Sequence, residues 1–177
     1  MPIVPYKPAE TQDPPELVAA IRSRRGGTLL NLDRMLLHSP AFAAGWNSFL
    51  GTVRDHLDIP PKLCELAICT VAVLNEADYE FIQHSPEFLK AGGTVEQLDA
   101  LQTLKTSSVQ NSLFNTTEQA VIQLSVEMTQ SIRVSKNTMD SVKAVLTSDQ
   151  SLVELIGVIA TYNMVSRYLV ALEIEPE

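Results

Sequence analysis

Three acid–base side chains, Glu65, Glu80 and His84, fall within one stretch running from Pro60 to Gly93, PPKLCELAICTVAVLNEADYEFIQHSPEFLKAGG. Glu65 stands in an almost unbroken apolar run with Leu63, Leu66, Ala67, Ile68, Val71 and Val73. A carboxylate there is hard to explain as packing, because a buried charge without a partner is strongly unfavourable. The nearest partners along the chain are Glu80 and His84, four residues apart. On a helix, positions 77, 80 and 84 share one face, and two packed antiparallel helices would bring Glu65 to His84. One carboxylate would then fix the tautomer of the imidazole and the second would exchange a proton. Burial and like-charge proximity would push one Glu towards its neutral form. The competing reading makes Glu80 and His84 a solvated helix pair and Glu65 the partner of a residue such as Arg54. Spacing alone leaves both open.

Cys69 lies one helical turn beyond Glu65 and borders the same pocket on this reading, either as a redox thiol or as a small core residue. Cys64 and Cys69 are five apart, about 140° around a helix, which does not suit an intrahelical bridge. No structural disulfide is expected. Two carboxylates and an imidazole could also hold a metal, but helical di-iron proteins space Glu and His by three rather than four, so neither a metal nor a cofactor is assigned. Tyr79 and Trp46 are further candidates for the pocket wall, although the spacing of Trp46 from Phe42 and Phe49 suits a core position equally. Tyr162, Asn163 and Arg167 put polar groups into an apolar helix, as a subunit contact or a pocket wall.

Helical patterns position these residues. Residues 1–15 carry five prolines and read as an extended arm, floppy or laid on a neighbouring subunit. Residues 16–177 read as a single all-α domain. Glu16–Arg25 is helical and stops at Gly26 and Gly27; Thr28 then caps a short helix to His38. Ser39 before Pro40 opens a third helix, on which Phe42, Trp46, Phe49, Leu50 and Val53 mark a buried face. The central helix runs from Pro61 to about Leu74. The next spans roughly residues 76–91, with a bend near Pro86, and ends at Gly92 and Gly93. Thr94 and Gln97 form a capping box, residues 106–116 form a polar loop, and three more helices begin near Thr117, Lys136 and Asp149. Leu63, Glu65, Leu66 and Tyr79 match Leu152, Glu154, Leu155 and Tyr168 at a constant offset of 89, as an internal duplication would give. Leu169 stands where the second copy would hold Glu80, so only the first copy carries the polar chemistry.

At 177 residues and 45% hydrophobic content the chain has the composition of an ordinary globular domain. A net charge of −8 argues against a nucleic-acid partner, and the one basic cluster, Arg22, Arg24 and Arg25, does not reverse it. The N-terminus has no basic start leading into an apolar core, so no signal peptide is read and a cytoplasmic location is expected. The apolar stretches at 63–74 and 152–172 are interrupted by Glu65, Glu154, Asn163 and Arg167 and do not suit a membrane span.

The stretch Tyr79, Glu80, Phe81, His84 resembles the AhpD-like, carboxymuconolactone decarboxylase family of all-helical proteins. Redox members carry C-x-x-C-x-x-x-H and other members Y-E-[WF]-x-x-H; the second form stands here. In the redox branch a Glu precedes the His by 19 residues, the separation of Glu65 from His84. Residues 29–47 also look like the region before this motif, so the resemblance spans most of residues 24–101. The two cysteine positions fall on Ala77 and Glu80, which cannot cycle through a disulfide. The resemblance therefore implies the non-redox branch: an acid–base protein acting on a small carboxylated or lactone-like substrate through Glu65, Glu80 and His84, assembled as a trimer or hexamer. The alternatives are thiol-based peroxide reduction through Cys69 and a non-catalytic oligomeric helical protein.

Overall fold

A computed structural model describes residues 1–105 and 111–177. The polar loop expected over 106–116 lies outside the described residues up to 110. Among the described residues there are nine α-helices and no strand: α1 Pro15–Arg24, α2 Asn31–Leu36, α3 Pro40–Asp55, α4 Pro61–Leu74, α5 Asp78–Lys90, α6 Val95–Gln102, α7 Thr116–Gln130, α8 Lys136–Val145 and α9 Asp149–Ala171. The chain is all-α, as its patterns require. These residues form two compact units, 1–57 with 171–177, and 58–170.

In the first unit the proline-rich arm lies against its own chain. The Ile3 amide donates to the Leu172 carbonyl, the Arg34 guanidinium to the Lys7 carbonyl, and Arg34 also stacks over the Tyr6 ring. The basic cluster is spent internally. Arg22 donates to the Ala9 carbonyl, Arg24 to Asn47 at 2.6 Å, and Arg25 pairs with the buried Asp33 at 3.1 Å. α2 starts at Asn31 rather than at a Thr28 cap, because Gly26 and Gly27 take positive φ and Asp33 receives the Leu30 amide. On α3 the buried face is Ala43, Trp46, Leu50 and Val53, whereas Phe42 and Phe49, expected inside, are about half exposed. They sit seven apart on the outer side, where Phe42 meets the Trp46 ring edge-on.

The second unit is built on α4, against which α5, α6 and α7 pack. Leu66 to Val73 are all buried, so this part of the helix is covered all round, and the one polar side chain in it, Thr70, donates to the Leu66 carbonyl. Its entry is held by Glu154 of α9, whose Oε2 accepts the amides of Asp58 and Ile59, both at 2.9 Å. Glu76 at φ 57° then turns the chain, and α5 starts at Asp78, two residues later than expected. It runs through Pro86 and stops at Gly92 and Gly93. A Cβ on Gly93 would stand 2.2 Å from the Phe88 ring, so that position admits only glycine without displacing a buried aromatic. The Thr94–Gln97 capping box is present in both directions. The two stretches related by an offset of 89 differ in shape: the first breaks at residues 75–77, while the second continues as α9 without interruption.

Candidate active site

α4 and α5 each contribute one side of a polar cluster, and α9 closes a third side. Ala77, Glu80 and His84 share the buried face of α5, Glu80 being 1% and His84 5% exposed. This removes the solvated-pair reading. Glu65, in the second turn of α4, keeps 15% of its side chain exposed and places Oε2 at 2.6 Å from His84 Nδ1. With a carboxylate as acceptor, Nδ1 carries the hydrogen and Nε2 is the basic nitrogen of the neutral ring. The Tyr162 ring of α9 stands edge-on to the imidazole at 4.9 Å and 86°, fixing its plane.

Glu80 has a different environment. Its Oε1 lies 2.9 Å from Ser166 Oγ, and Oε2 is buried without a hydrogen-bond partner among the described residues. Burial pushes its carboxyl well above the usual carboxylate range, outweighing the opposite effect that a hydrogen bond donated by Ser166 to the ionised form would have. No neighbouring carboxylate contributes, so the expected like-charge effect is replaced by desolvation. The cluster thus pairs one carboxylate bound to an imidazole with a second carboxyl whose protonated form is favoured. These are the two proton inventories that acid–base catalysis separates.

Cys69 is fully buried on α4. Burial first, and then the charges of Glu65 and Glu80, push its thiol up, with a Ser85 hydrogen bond opposing them. It therefore adjoins both carboxylates but in the form least suited to a thiolate nucleophile. Cys64 is half-buried, and neither cysteine is in a disulfide. Tyr79 is buried beside Glu80 on α5, and Trp46 belongs to the core of the first unit. Among the described residues no three His, Cys, Asp or Glu side chains converge in a way that could hold a metal ion. No described helix is long and apolar enough to cross a membrane.

Asn163, grouped with Tyr162 in the sequence, ties α9 to the end of α4 through Asn75 and to α7 through Thr129. Arg167 donates back to Asn163. Ser166 has no sequence signal beyond its spacing of four from Tyr162 in an apolar helix, a pattern equally common in helices where serine merely bonds its own backbone.

The fold and this cluster define an all-helical protein with a buried carboxylate–imidazole pair at the junction of two helices. Residues 40–124 match the carboxymuconolactone decarboxylase family, with Ala77 and Glu80 where its redox members carry paired cysteines. No curated protein sequence matches the chain. Solved structures share the fold. A peroxidase-related protein from Silicibacter sp. TM1040 superposes with TM-score 0.78 at 11% identity, over 99% of this chain and 90% of that one. A cysteine-to-alanine variant of the debrominase Bmp8 in complex with 2,3,4-tribromopyrrole gives TM-score 0.76 at 17% identity, over 100% and 94%. A protein of unknown function from Agrobacterium tumefaciens, described as a putative antioxidant defence protein AhpD, gives 0.71 at 13%, over 81% and 95%. At these identities the likeness establishes the fold alone.

Proposed function

We propose that the chain is an acid–base enzyme acting on a small carboxylated or lactone-like substrate, with Glu80 as the acid and His84, oriented by Glu65, as the base. The observation that carries this reading is the 2.6 Å Glu65–His84 contact beside a carboxyl driven towards its neutral form. A base whose Nδ1 is anchored by a carboxylate takes a proton through Nε2 and is stabilised as the imidazolium. A neutral carboxyl alongside can return a proton to the electron pair left on carbon when a carboxylate departs as carbon dioxide, or to the oxygen released when a lactone opens. The match of residues 40–124 to the decarboxylase family supports this class of reaction, and the complex of the structurally similar debrominase with a small ring compound supports a substrate of modest size.

Peroxide reduction by a paired-cysteine route has no support, since Ala77 and Glu80 stand where two sulfurs are needed, and the buried Cys69 thiol is a poor substitute. The test is an assay of carbon dioxide release and lactone opening over a panel of small lactone carboxylates. His84→Ala and Glu80→Gln should each lower kcat on the best substrate by roughly 10²–10⁴-fold, the usual span of a general acid or base. Unchanged turnover in both would refute the assignment.

A further inference from the structure

Ser166 Oγ is 2.9 Å from two oxygens at once: Glu80 Oε1 and the carbonyl of Tyr162, one turn earlier on α9. A hydroxyl has one hydrogen to give and two lone pairs to receive with, whereas a backbone carbonyl only accepts. Both short contacts are satisfied together when Ser166 donates to the Tyr162 carbonyl and Glu80 donates to Ser166. With Glu80 ionised, both neighbours would compete for one hydrogen. Oε2, which has no hydrogen-bond partner among the described residues, would then carry part of a buried, uncompensated charge. With the proton on Oε1, that same Oε2 is a neutral carbonyl oxygen, far less costly to leave bare. The titratable groups of the cluster are Cys69 on α4, whose thiol responds to the charges of both Glu80 and Glu65, His84 one turn on along α5, held by Glu65, and Tyr162 on α9 against His84. None of them pairs with Oε2.

We propose that Ser166 is a positioning residue that accepts the Glu80 proton, so that Glu80 rests as the acid with its hydrogen on Oε1 and the Ser166 hydrogen committed to the Tyr162 carbonyl. The inference deepens the acid role given to Glu80 above and rests on that reading for its use in catalysis.

The two hydrogen-bond directions predict opposite shifts. In the full chain labelled with ¹³C-glutamate, Glu80→Gln identifies the Glu80 carboxyl resonance, and its titration is followed without substrate. Ser166→Ala removes the acceptor of the acid form and is expected to move the midpoint down by about one pH unit. Ser166→Thr, which keeps the hydroxyl, is expected to bring it back. An upward shift, or none, means that Ser166 donates to a carboxylate and overturns the proposal. A second readout needs no Ser166 variant: the infrared carbonyl band of protonated Glu80, isolated by difference against Glu80→Gln. It is expected at the high-frequency end, where carbonyls receive no donor; a band at the low end places the Ser166 hydrogen on Glu80 and also overturns the proposal. Neither measurement uses turnover, so failure of the acid–base function in the His84→Ala assay is read separately from failure here.

Discussion

A carboxyl buried as fully as Glu80 ties stability to pH in a definite direction. Its folded value lies above the unfolded one, about 4.3. Below that value both states hold the proton and the contribution is fully present. As pH rises towards the folded value the unfolded chain ionises alone, and the stability is lost. Glu80→Gln carries no such proton. The melting temperature of the wild type should therefore fall relative to that of Glu80→Gln as pH is raised from about 4 to about 9, in paired thermal melts. A difference that stays constant with pH would show that Glu80 is ionised in the fold. The need for a partner at Glu65 was legible from a charge set among apolar neighbours, and His84 was legible as that partner from its separation. Ser166 was not, because a serine one turn after another polar residue looks the same whether its hydroxyl serves its own helix or a carboxyl 86 positions away.

Helix ends make the next scale testable. Glu154 gives both its oxygens to polar partners around the start of α4, taking the Asp58 and Ile59 amides on Oε2 and the Gln150 side chain on Oε1. Glu154→Ala should cost about 1–3 kcal/mol in urea unfolding, the range for losing charge-assisted hydrogen bonds to backbone donors. Boundaries set by local chemistry were legible: the Thr94–Gln97 box and the stop at Gly92 and Gly93. What could not be read was which side of an amphipathic helix faces in when aromatics lie on both. On α3 the small Ala43 joins Trp46 in the core and leaves Phe42 and Phe49 outside, a choice made by neighbouring helices rather than by α3 itself.

For the whole molecule, the resemblance implies a trimer or hexamer, and exposed apolar side chains give that proposal physical support. Ile82 and Leu89 lie outside on α5, and Val153, Met164 and Val170 on α9, all substantially exposed in the single chain. Size exclusion with light scattering should return three or six times the chain mass of 19.5 kDa; one chain mass would rule the assembly out. Cys69→Ser should leave peroxide consumption unchanged, since a fully buried thiol held in its protonated form contributes no nucleophile.

The clasp of Glu154 on the entry of α4 also bears on the order in which the chain folds. The Glu65–His84 contact joins residues on consecutive helices and forms with the α4–α5 hairpin. The Ser166–Glu80 contact and the Glu154 clasp close loops of 86 and 95 residues. Loop closure of that length is a late, entropically costly event. The base half of the cluster can thus assemble early, while the acid half waits for α9 to dock, and a nascent chain would carry the imidazole pair well before it carried the complete proton-transfer set.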